Sequence, residues 1–373
     1  MKILIVLLCL AIAHKSFALE GEQSNPLRDT EVSKLMRERD IPGLAIAKIN
    51  NATLSFMGVY GYADVANNIK VTKETMFNVA SISKPIMGVT LLQLVDKKLL
   101  SLDANINDYL PFKIDNPYFT DGAISLRNLA THTSSIADYY QPDSFSKNND
   151  SPISLEQHVK SLLVKGGSNY QSEKYYLNHT PGEERKYSNL AAGVAGLLIE
   201  SVIGVPLFDY SEQTLFQSLK MNDTAWLLNG LDFRKLATPY SISDTQKFLP
   251  HAHIGNPQYP DGGVRSSIQD LTKLMIGILK NKDTDGNKLL SNSSYAEMLT
   301  LQLPPDISKS QRFFWIDNKM GLTGHMGSDI GTFCAFYFDP TSRDGIIILM
   351  NVDMNDDSIQ AMQTLAQYLM SYK

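Results

Sequence analysis

Two strand-like patterns close to the ends of the chain constrain its fold more than any other feature. Near the amino terminus, Gly43–Ile49 and Thr53–Tyr60 flank an Asn-Asn turn and predict a β-hairpin. Near the carboxyl terminus, residues 331–338 and 346–351 flank a turn rich in Asp, Pro and Gly and predict a second hairpin. The simplest architecture pairs these terminal strands in one antiparallel sheet.

Helical patterns fill much of the chain between and after these hairpins. Apolar residues recur at helical spacing from Ser81 to about Lys97. Further helices are expected at Leu190–Ile203, at Ser267–Lys280 with a cap at Ser266 or Ser267, and at Asp356–Tyr372. Residues 100–180 are rich in loops and prolines. We therefore predict an α+β fold, an α/β sandwich whose antiparallel sheet is flanked by helices. A mostly helical insertion spans about residues 100–265, and we expect the site in a cleft between sheet and insertion.

The first 18 residues have the pattern of a secretory signal peptide. Lys2 supplies a positive charge, residues 3–13 are an unbroken apolar run of eleven, and Ser16-Phe-Ala18 offers small residues for cleavage. An uncleaved amino-terminal anchor is the alternative. No other stretch reaches the ~18 apolar residues of a membrane-spanning helix. We expect residues 19–373 to form one exported domain, periplasmic or secreted, without a stable membrane span.

Charge and cysteine content exclude several classes of protein. Lys and Arg number 34 and Asp and Glu 39, which gives a net charge of −5, and no basic run is present. Such a chain is a poor candidate for binding nucleic acid through phosphates. Cleavage of the leader removes Cys9 and leaves Cys334 alone, so neither a disulfide nor a cysteine metal site can form. No metal or cofactor is predicted.

The first candidate catalytic element is Ser81-Ile-Ser-Lys84, which opens the first long predicted helix. Positions three apart share a helix face, so the two side chains point the same way. A helix N-terminus offers free N–H groups and a partial positive charge, and a serine hydroxyl becomes a nucleophile when a base takes its proton. The same spacing recurs at Ser144–Lys147, but there it follows a proline and lacks apolar periodicity. We interpret that second copy as a solvated loop.

The second element is Tyr187-Ser-Asn189, which precedes the Ala- and Gly-rich helix. A tyrosine beside cations can relay protons, and an asparagine can orient a substrate carbonyl or Lys84. The same pattern occurs at Tyr176-Leu-Asn178. Either copy alone is typical of a core or surface tyrosine.

The third element is the segment Gly324–Gly331, which leads into the second hairpin. Its small residues, Gly327 among them, allow a substrate backbone to approach an edge strand closely. His325 can donate a hydrogen bond or a partial charge toward the site. Two segments compete with it for this role: Lys319-Met-Gly321 and His253-Ile-Gly255.

In this order, the three elements resemble the serine β-lactamase and penicillin-binding-protein superfamily. The chain is most similar to the class C β-lactamase branch and its esterase and D-amino-acid-peptidase relatives. The resemblance covers roughly residues 30–372. Besides the three elements, the matching segments are Phe77–Pro85, Leu126–Ser134, Pro181-Gly-Glu and Gly262–Ser267.

The resemblance implies a role for each matched position and a β-lactamase/transpeptidase-like fold. Ser81 would be the acyl-accepting nucleophile, and Lys84 and Tyr187 would share the general-base and general-acid work. The substrate-binding positions would be Asn189, His325, Gly327 and Ser328. Among these, the backbone N–H of Ser328 would form the oxyanion hole with that of Ser81.

Two departures from the resembled family bear on the substrate. His325 stands where many β-lactamases carry lysine, which favours an esterase or peptidase over a β-lactamase. Ser135 stands where relatives often have glycine, so a positive φ there would strain the backbone. We therefore predict a secreted serine hydrolase that acts on a small molecule or short peptide: an ester, a D-amino-acid peptide or a β-lactam. The alternatives are a true class C-type β-lactamase and a poorly active penicillin-binding or peptidoglycan-sensing module.

Overall fold

The computed structural model describes residues 29–119, 122–139, 142–243 and 245–371. The predicted signal peptide and Cys9 lie outside the described residues. Cleavage of the leader and export of the chain therefore stay predictions.

A seven-stranded antiparallel sheet assembled from both ends of the chain forms the framework. In chain order the strands are β1 (Gly43–Asn50), β2 (Thr53–Asp64), β3 (Ile69–Lys70), β4 (Met76–Asn78), β5 (Ser146–Lys147), β6 (Thr224–Ala225), β7 (Tyr240–Ser241), β8 (Leu249–Pro250), β9 (Ile254–Gly255), β10 (Arg265–Ser267), β11 (Ile316–Asp317), β12 (Thr323–Asp329), β13 (Thr332–Asp339) and β14 (Asp344–Met350). The order in the main sheet is β11-β12-β13-β14-β1-β2-β3. Strands β1 and β14 join the two hairpins, with Leu44 opposite Met350 and Ile49 opposite Gly345. The predicted antiparallel sheet of terminal strands is confirmed.

Strand β1 is apolar along almost its whole length because both of its faces are covered. Ala45, Ala47 and Ile49 belong to the large hydrophobic core on one side of the sheet. Leu44 and Ile46 belong to a second core on the other side. Burial of apolar surface on both faces is the main favourable contribution to holding this layered arrangement together.

Helices cover both faces of the sheet. In chain order they are α1 (Asp29–Glu38), α2 (Ser83–Asp96), α3 (Leu126–Ala130), α4 (Leu155–Leu163), α5 (Ser172–Tyr175), α6 (Asn189–Ile203), α7 (Leu207–Ser211), α8 (Ile268–Lys280), α9 (Asn292–Leu299) and α10 (Asp356–Ser371). Helices α1 and α10 pack in the second core, whereas α2, α6 and α8 pack in the large one. The mixed fold with flanking helices agrees with the prediction.

Local capping explains where several helices begin. The Ser188 side chain accepts a hydrogen bond from Ala191 N and caps α6, and Ser267 accepts one from Asp270 N and caps α8. The two candidates for the α8 cap are thereby resolved in favour of Ser267. The first long helix begins later than expected, at Ser83, because Ala80–Ile82 forms a 3₁₀ turn.

The inserted region is less regular than the sheet. Residues 100–265 contain α3 to α7, the short strands β5 to β9 and long irregular stretches. The segment 100–180, read from sequence as loops, also contains α4, which begins with a reciprocal capping box between Ser154 and Gln157. The limits assigned to the domain and the insertion stay predictions.

No single helix in the described part of the chain has the length and apolar character to cross a membrane. The pair Asn189–Ile203 and Leu207–Phe216, bent by 78°, meets that criterion by length and composition only.

Candidate active site

Ser81 lies in the 3₁₀ turn between β4 and α2. Strand β4 pairs with β10, with Asn78 opposite Arg265, and this pairing fixes the start of the turn. Ala80, just before the serine, has a φ of 46°. A left-handed backbone costs a non-glycine residue roughly 1–2 kcal/mol. The turn is held in part by a hydrogen bond from Ala80 N to Asn78 Oδ1, 3.0 Å long.

Three of the predicted residues meet at the Ser81 hydroxyl. Lys84 Nζ donates to Ser81 Oγ at 3.1 Å, and Tyr187 Oη donates to the same oxygen at 3.0 Å. The Lys84 side chain is 0% exposed, and its Nζ also donates to the Asp261 carbonyl. Both groups lie within the reach that proton transfer to or from the hydroxyl requires.

Gly327 allows strand β12 to lie directly against the Ser81 turn. A Cβ at this position would lie 2.1 Å from the Val79 carbonyl oxygen and 3.4 Å from Ala80 Cβ. The close approach predicted for this glycine therefore involves the backbone of the protein's own turn. Ser328 follows on β12 and is exposed.

Two histidines border the site, and both are uncharged at neutral pH. His132 stacks on Tyr187 with ring centroids 4.3 Å apart, and its Nδ1 accepts from Ser188 N at 3.2 Å. Burial, with the nearby charges of Arg185 and Lys84, holds the pKa of His132 well below its ordinary value. Burial and the charge of Lys84 lower the pKa of His325 to about 3.

The tautomer of His325 bears on what it can offer a substrate. Its Nδ1 is hydrogen bonded to the Met326 carbonyl, which can only accept. In the neutral ring, Nδ1 therefore carries the proton and Nε2 is left as an acceptor. His325 therefore supplies neither the charge nor the free ring N–H donor that the sequence suggested.

Asn189, which the sequence suggests could orient a substrate carbonyl or Lys84, contacts Asp138 in the structure. Its backbone N donates to Asp138 Oδ1 at 2.8 Å, and its Nδ2 donates to Asp138 Oδ2 at 3.5 Å. Asn189 is also the first residue of α6, so the carboxylate lies at a helix N-terminus, where negative charge is favourable. Burial nevertheless raises the pKa of Asp138, against the lowering effect of the Asn189 hydrogen bonds.

Asp261 is a buried carboxyl beside Lys84 that belongs to none of the three sequence elements. Its Oδ2 accepts from Gln258 Nε2 at 2.8 Å, and its Oδ1 accepts from Asn256 Nδ2 at 3.3 Å. Burial raises the pKa of this carboxyl to about 7, against the opposing attraction of Lys84. Its position, just before the matched Gly262–Ser267 segment, was the available signal, but its burial could not be read from the sequence.

The competing copies of the first two motifs lie in other settings. Ser144 ends a short turn, and Lys147 lies exposed on β5, which pairs with β9. Extended backbone does not bring positions three apart to one face. The Tyr176 hydroxyl donates to the Leu163 carbonyl at 2.7 Å and is buried in the large core.

The competitors of the third element also lie elsewhere. Lys319 is exposed in the turn between β11 and β12. His253 packs edge-on against Phe233, with centroids 5.4 Å apart, and burial lowers its pKa to about 4. Ser135, expected to be strained, has a φ of 57°, which confirms that expectation.

The described residues contain no group of three or more His, Cys, Asp or Glu side chains arranged to hold a metal ion. Cys334 is buried on β13 beside Thr332 and the Asn78 carbonyl. Burial raises its pKa to about 11, which disfavours the reactive thiolate.

Known proteins with a similar fold include a class C beta-lactamase and a hydrolase, EstCE1. A class C beta-lactamase superposes with a TM-score of 0.71 at 20% identity, covering 92% of this chain and 94% of that one. EstCE1, a hydrolase with promiscuous acyltransferase activity, superposes with a TM-score of 0.70 at 19% identity, covering 92% and 97%. At these identities the likeness shows a common fold.

The sequence itself carries a more specific relationship. Protein flp of Staphylococcus aureus strain MRSA252 is 23% identical over 327 residues, which cover 87% of this chain. The chain spans about 62% of the length of that relative. Residues 28–368 match the Beta-lactamase family. Since that match covers nearly the whole chain and the fold agrees with it, the chain belongs to the Beta-lactamase family.

Proposed function

We propose that this protein is an exported serine hydrolase that cleaves an ester or amide bond through an acyl-enzyme on Ser81. The observation that carries the proposal is the convergence of Lys84 Nζ and Tyr187 Oη on Ser81 Oγ, at 3.1 and 3.0 Å. A nucleophile within reach of two proton-transfer groups, at the junction of a turn with strand β12, is the arrangement that acyl transfer requires.

In acylation, Ser81 Oγ attacks the carbonyl carbon of the substrate and forms a tetrahedral intermediate. The pair begins this step one proton short, as the Lys84 amine or the Tyr187 phenolate, and that group accepts the hydroxyl proton as the new C–O bond forms. The backbone N–H groups of Ser81 and Ser328 hold the developing oxyanion, an interaction worth about 3–4 kcal/mol in other hydrolases. The carbon–heteroatom bond then breaks, and the pair returns the proton to the leaving oxygen or nitrogen.

In deacylation, a water molecule takes the place of the leaving group. The pair accepts a proton from this water as its oxygen attacks the acyl carbon. The ester bond to Ser81 breaks, and the serine oxygen recovers a proton from the pair. Full burial of Lys84 supports this cycle, because packing holds its Nζ within hydrogen-bond distance of Ser81 Oγ.

The third element favours an ester or D-amino-acid-peptide substrate over a β-lactam. With a pKa of about 3, His325 offers no fixed positive charge at pH 7. Many β-lactamases place a lysine at this position of the resembled motif.

The test is covalent labelling of the purified full chain with a fluorescent fluorophosphonate and, in parallel, a fluorescent penicillin. Wild type is expected to take up the fluorophosphonate, and Ser81→Ala is expected to take up neither reagent. An unlabelled wild type would contradict the proposal. Stable penicillin labelling without turnover of any ester or peptide would instead indicate a penicillin-binding module. Export is tested by sequencing the amino terminus of the chain recovered outside the cytoplasm, which is expected to begin at residue 19.

A further inference from the structure

The two proposed oxyanion donors, Ser81 N and Ser328 N, lie on elements that belong to different sheets. Strand β4, which leads into the Ser81 turn, pairs with β10 in a three-stranded sheet, whereas Ser328 lies on β12 of the seven-stranded sheet. In the described residues, no backbone hydrogen bond joins residues 76–84 to β12 or β13. Strand pairing therefore fixes each donor within its own sheet but does not fix the distance between the two donors.

Side-chain hydrogen bonds join residues 76–84 to β12 and β13, and all three that occur among the described residues end at Asn78. The Asn78 Nδ2 donates to Asp329 Oδ2 at 3.4 Å. The Asn78 carbonyl accepts from Thr332 Oγ1 at 2.8 Å and from Cys334 Sγ at 3.6 Å. Asn78, the last residue of β4, is therefore the point at which the Ser81 turn is attached to these two strands.

The Asn78 side chain bridges the residues that flank the two donors. Its Oδ1 accepts from Ala80 N at 3.0 Å, and Ala80 immediately precedes Ser81. Its Nδ2 contacts Asp329, which immediately follows Ser328. An asparagine amide carries both an acceptor oxygen and N–H donors, so this one group can hold both elements at once.

Both ends of the bridge are themselves constrained. Ala80 has a φ of 46°, an unfavourable conformation for a residue with a Cβ, and the bond to Asn78 Oδ1 helps to maintain it. At the other end, Asp329 Oδ1 accepts from Ile330 N at 2.8 Å, which orients the carboxylate at the end of β12. The bridge therefore connects two elements that are each held in place locally.

We propose that Asn78 is a positioning residue whose amide bridge sets the separation of the two oxyanion donors around the tetrahedral intermediate. This inference rests on the proposed acyl-enzyme function. Oxyanion donors stabilise the transition state when they lie at hydrogen-bond distance from the developing charge, and a displacement of about 1 Å can cost ~100-fold in rate. Loss of the bridge slows bond formation at Ser81 and leaves the initial binding of the reagent nearly unchanged.

The experiment follows labelling of Ser81 by a fluorescent fluorophosphonate over a series of reagent concentrations. The series gives the maximal labelling rate and the half-saturating concentration separately. The phosphoryl oxygen gains negative charge as Ser81 attacks phosphorus, so the maximal rate depends on the oxyanion donors. Asn78→Ala is expected to lower the maximal rate by about 10- to 100-fold and to change the half-saturating concentration by less than about threefold.

Asn105→Ala is the matched control. Asn105 Oδ1 accepts from Asn107 N at 3.0 Å, which is the same two-residue spacing and the same length as the bond from Ala80 N to Asn78 Oδ1. Both asparagines are half-buried, but Asn105 lies in the inserted region. This variant is expected to be labelled as wild type is.

Exchanging the two bridging groups tests the bridge itself. Asn78→Asp keeps an acceptor for Ala80 N but places a carboxylate against that of Asp329, so labelling should be at least as slow as in Asn78→Ala. In the double variant Asn78→Asp with Asp329→Asn, the amide at position 329 can donate across to the carboxylate while its oxygen still accepts from Ile330 N. The double variant is expected to be labelled at least about tenfold faster than Asn78→Asp alone.

A double variant no faster than Asn78→Asp would overturn the inference, and so would equal losses in Asn78→Ala and Asn105→Ala. An increase in the half-saturating concentration as large as the fall in rate would also overturn it, because a general distortion of the site weakens binding as well. Thermal unfolding shows which variants fold, and where one does not, the comparison between the others decides.

In each of these outcomes Ser81 of the wild-type protein is still labelled, so the proposed hydrolase function stands. An unlabelled wild type would instead contradict that function itself.

Discussion

The chain contains the Ser-x-x-Lys spacing twice, and the two copies differ in their surroundings. Ser81 and Lys84 lie where a 3₁₀ turn enters a core helix, and Lys84 is fully buried. Ser144 and Lys147 lie on a short turn and a strand in the inserted region, where Lys147 is exposed. Spacing alone therefore does not make a catalytic pair. A shared helix face and desolvation of the cation separate the two copies.

The partners of the two lysines sharpen this contrast. The Lys84 ammonium donates to Ser81 Oγ and to the Asp261 carbonyl, so packing holds it in one position. Water competes for the ammonium of an exposed lysine, and interactions of exposed charges are weak. Substitutions at Ser81 and Lys84 should therefore change the rate of hydrolysis, and substitutions at Ser144 and Lys147 should not.

Replacing the two serines is expected to give the largest difference. Ser81→Ala removes the only atom that can carry the acyl group in the proposed scheme and should abolish the burst and the steady-state hydrolysis of p-nitrophenyl acetate. Ser144→Ala should leave both unchanged. Stopped-flow and steady-state kinetics measure this. Equal activity in the two variants would remove the basis of the comparison.

Replacing the proton-transfer groups is expected to give the next largest effect. Lys84→Ala and Tyr187→Phe should each lower kcat by about 10²- to 10⁴-fold, the usual contribution of general acid–base groups.

Tyr176→Phe is the matched control for Tyr187→Phe. It removes a buried hydrogen bond to the Leu163 carbonyl, so it should lower the free energy of unfolding by about 1 kcal/mol and leave kcat unchanged. Kinetics and chemical denaturation of the same samples distinguish the two tyrosines. A Tyr187→Phe variant with wild-type kcat would rule out its role in proton transfer.

Gly327→Ala tests whether the contact between turn and strand distinguishes the Ser81 copy. The added Cβ would lie 2.1 Å from the Val79 carbonyl oxygen, so β12 must move away from the turn. We expect kcat to fall by about 10- to 100-fold because the oxyanion donors are displaced.

Gly88→Ala is the control for this substitution. Its Cβ would meet Phe314 at an ordinary 3.4 Å within α2, so activity should be retained. Comparable losses of kcat in both glycine variants would show that crowding of the core, and not the junction with β12, is responsible.

Asp261→Asn is expected to have the smallest effect, and it depends on pH. The pKa of this carboxyl is about 7 in the folded protein and 3.8 without the fold. The folded state thus favours the protonated acid, and stability is lost as the pH rises from about 4 to above 7.

An asparagine side chain does not titrate, so Asp261→Asn does not lose this stability as the pH rises. The free energy of unfolding of Asp261→Asn minus that of wild type should therefore rise by on the order of 2 kcal/mol from pH 5 to pH 8. Denaturant unfolding of both proteins at the two pH values measures the difference. A difference in stability that is the same at pH 5 and pH 8 would show that the carboxyl is not desolvated as described.

The terminal hairpins and most long helices could be predicted because their patterns are local. Strand alternation in β2, the apolar run of β14 and the spacing in α10 follow directly from the residues. Helix α4 was missed because a proline-rich neighbourhood obscured its Ser154 and Gln157 capping box. The late start of α2 was missed because sequence does not reveal the positive φ of Ala80.

Part of the site could also be predicted, because its three motifs are local sequence patterns. The order of the three elements pointed to Ser81, Lys84 and Tyr187, which the fold brings together. Asp138 and Asp261 were not found, because what distinguishes them is contact across long sequence separations and, for Asp261, burial. The contact of Asn189 with Asp138 and the tautomer of His325 likewise depend on neighbours that only the folded chain supplies.

The most direct test of the central claim is to locate the covalent adduct on the wild-type chain. The protein is inactivated with a fluorophosphonate, digested and mapped by tandem mass spectrometry. The account predicts a single modified residue, Ser81, with the peptide that contains Ser144 unmodified. An adduct on Ser144, or on any residue other than Ser81, would contradict it.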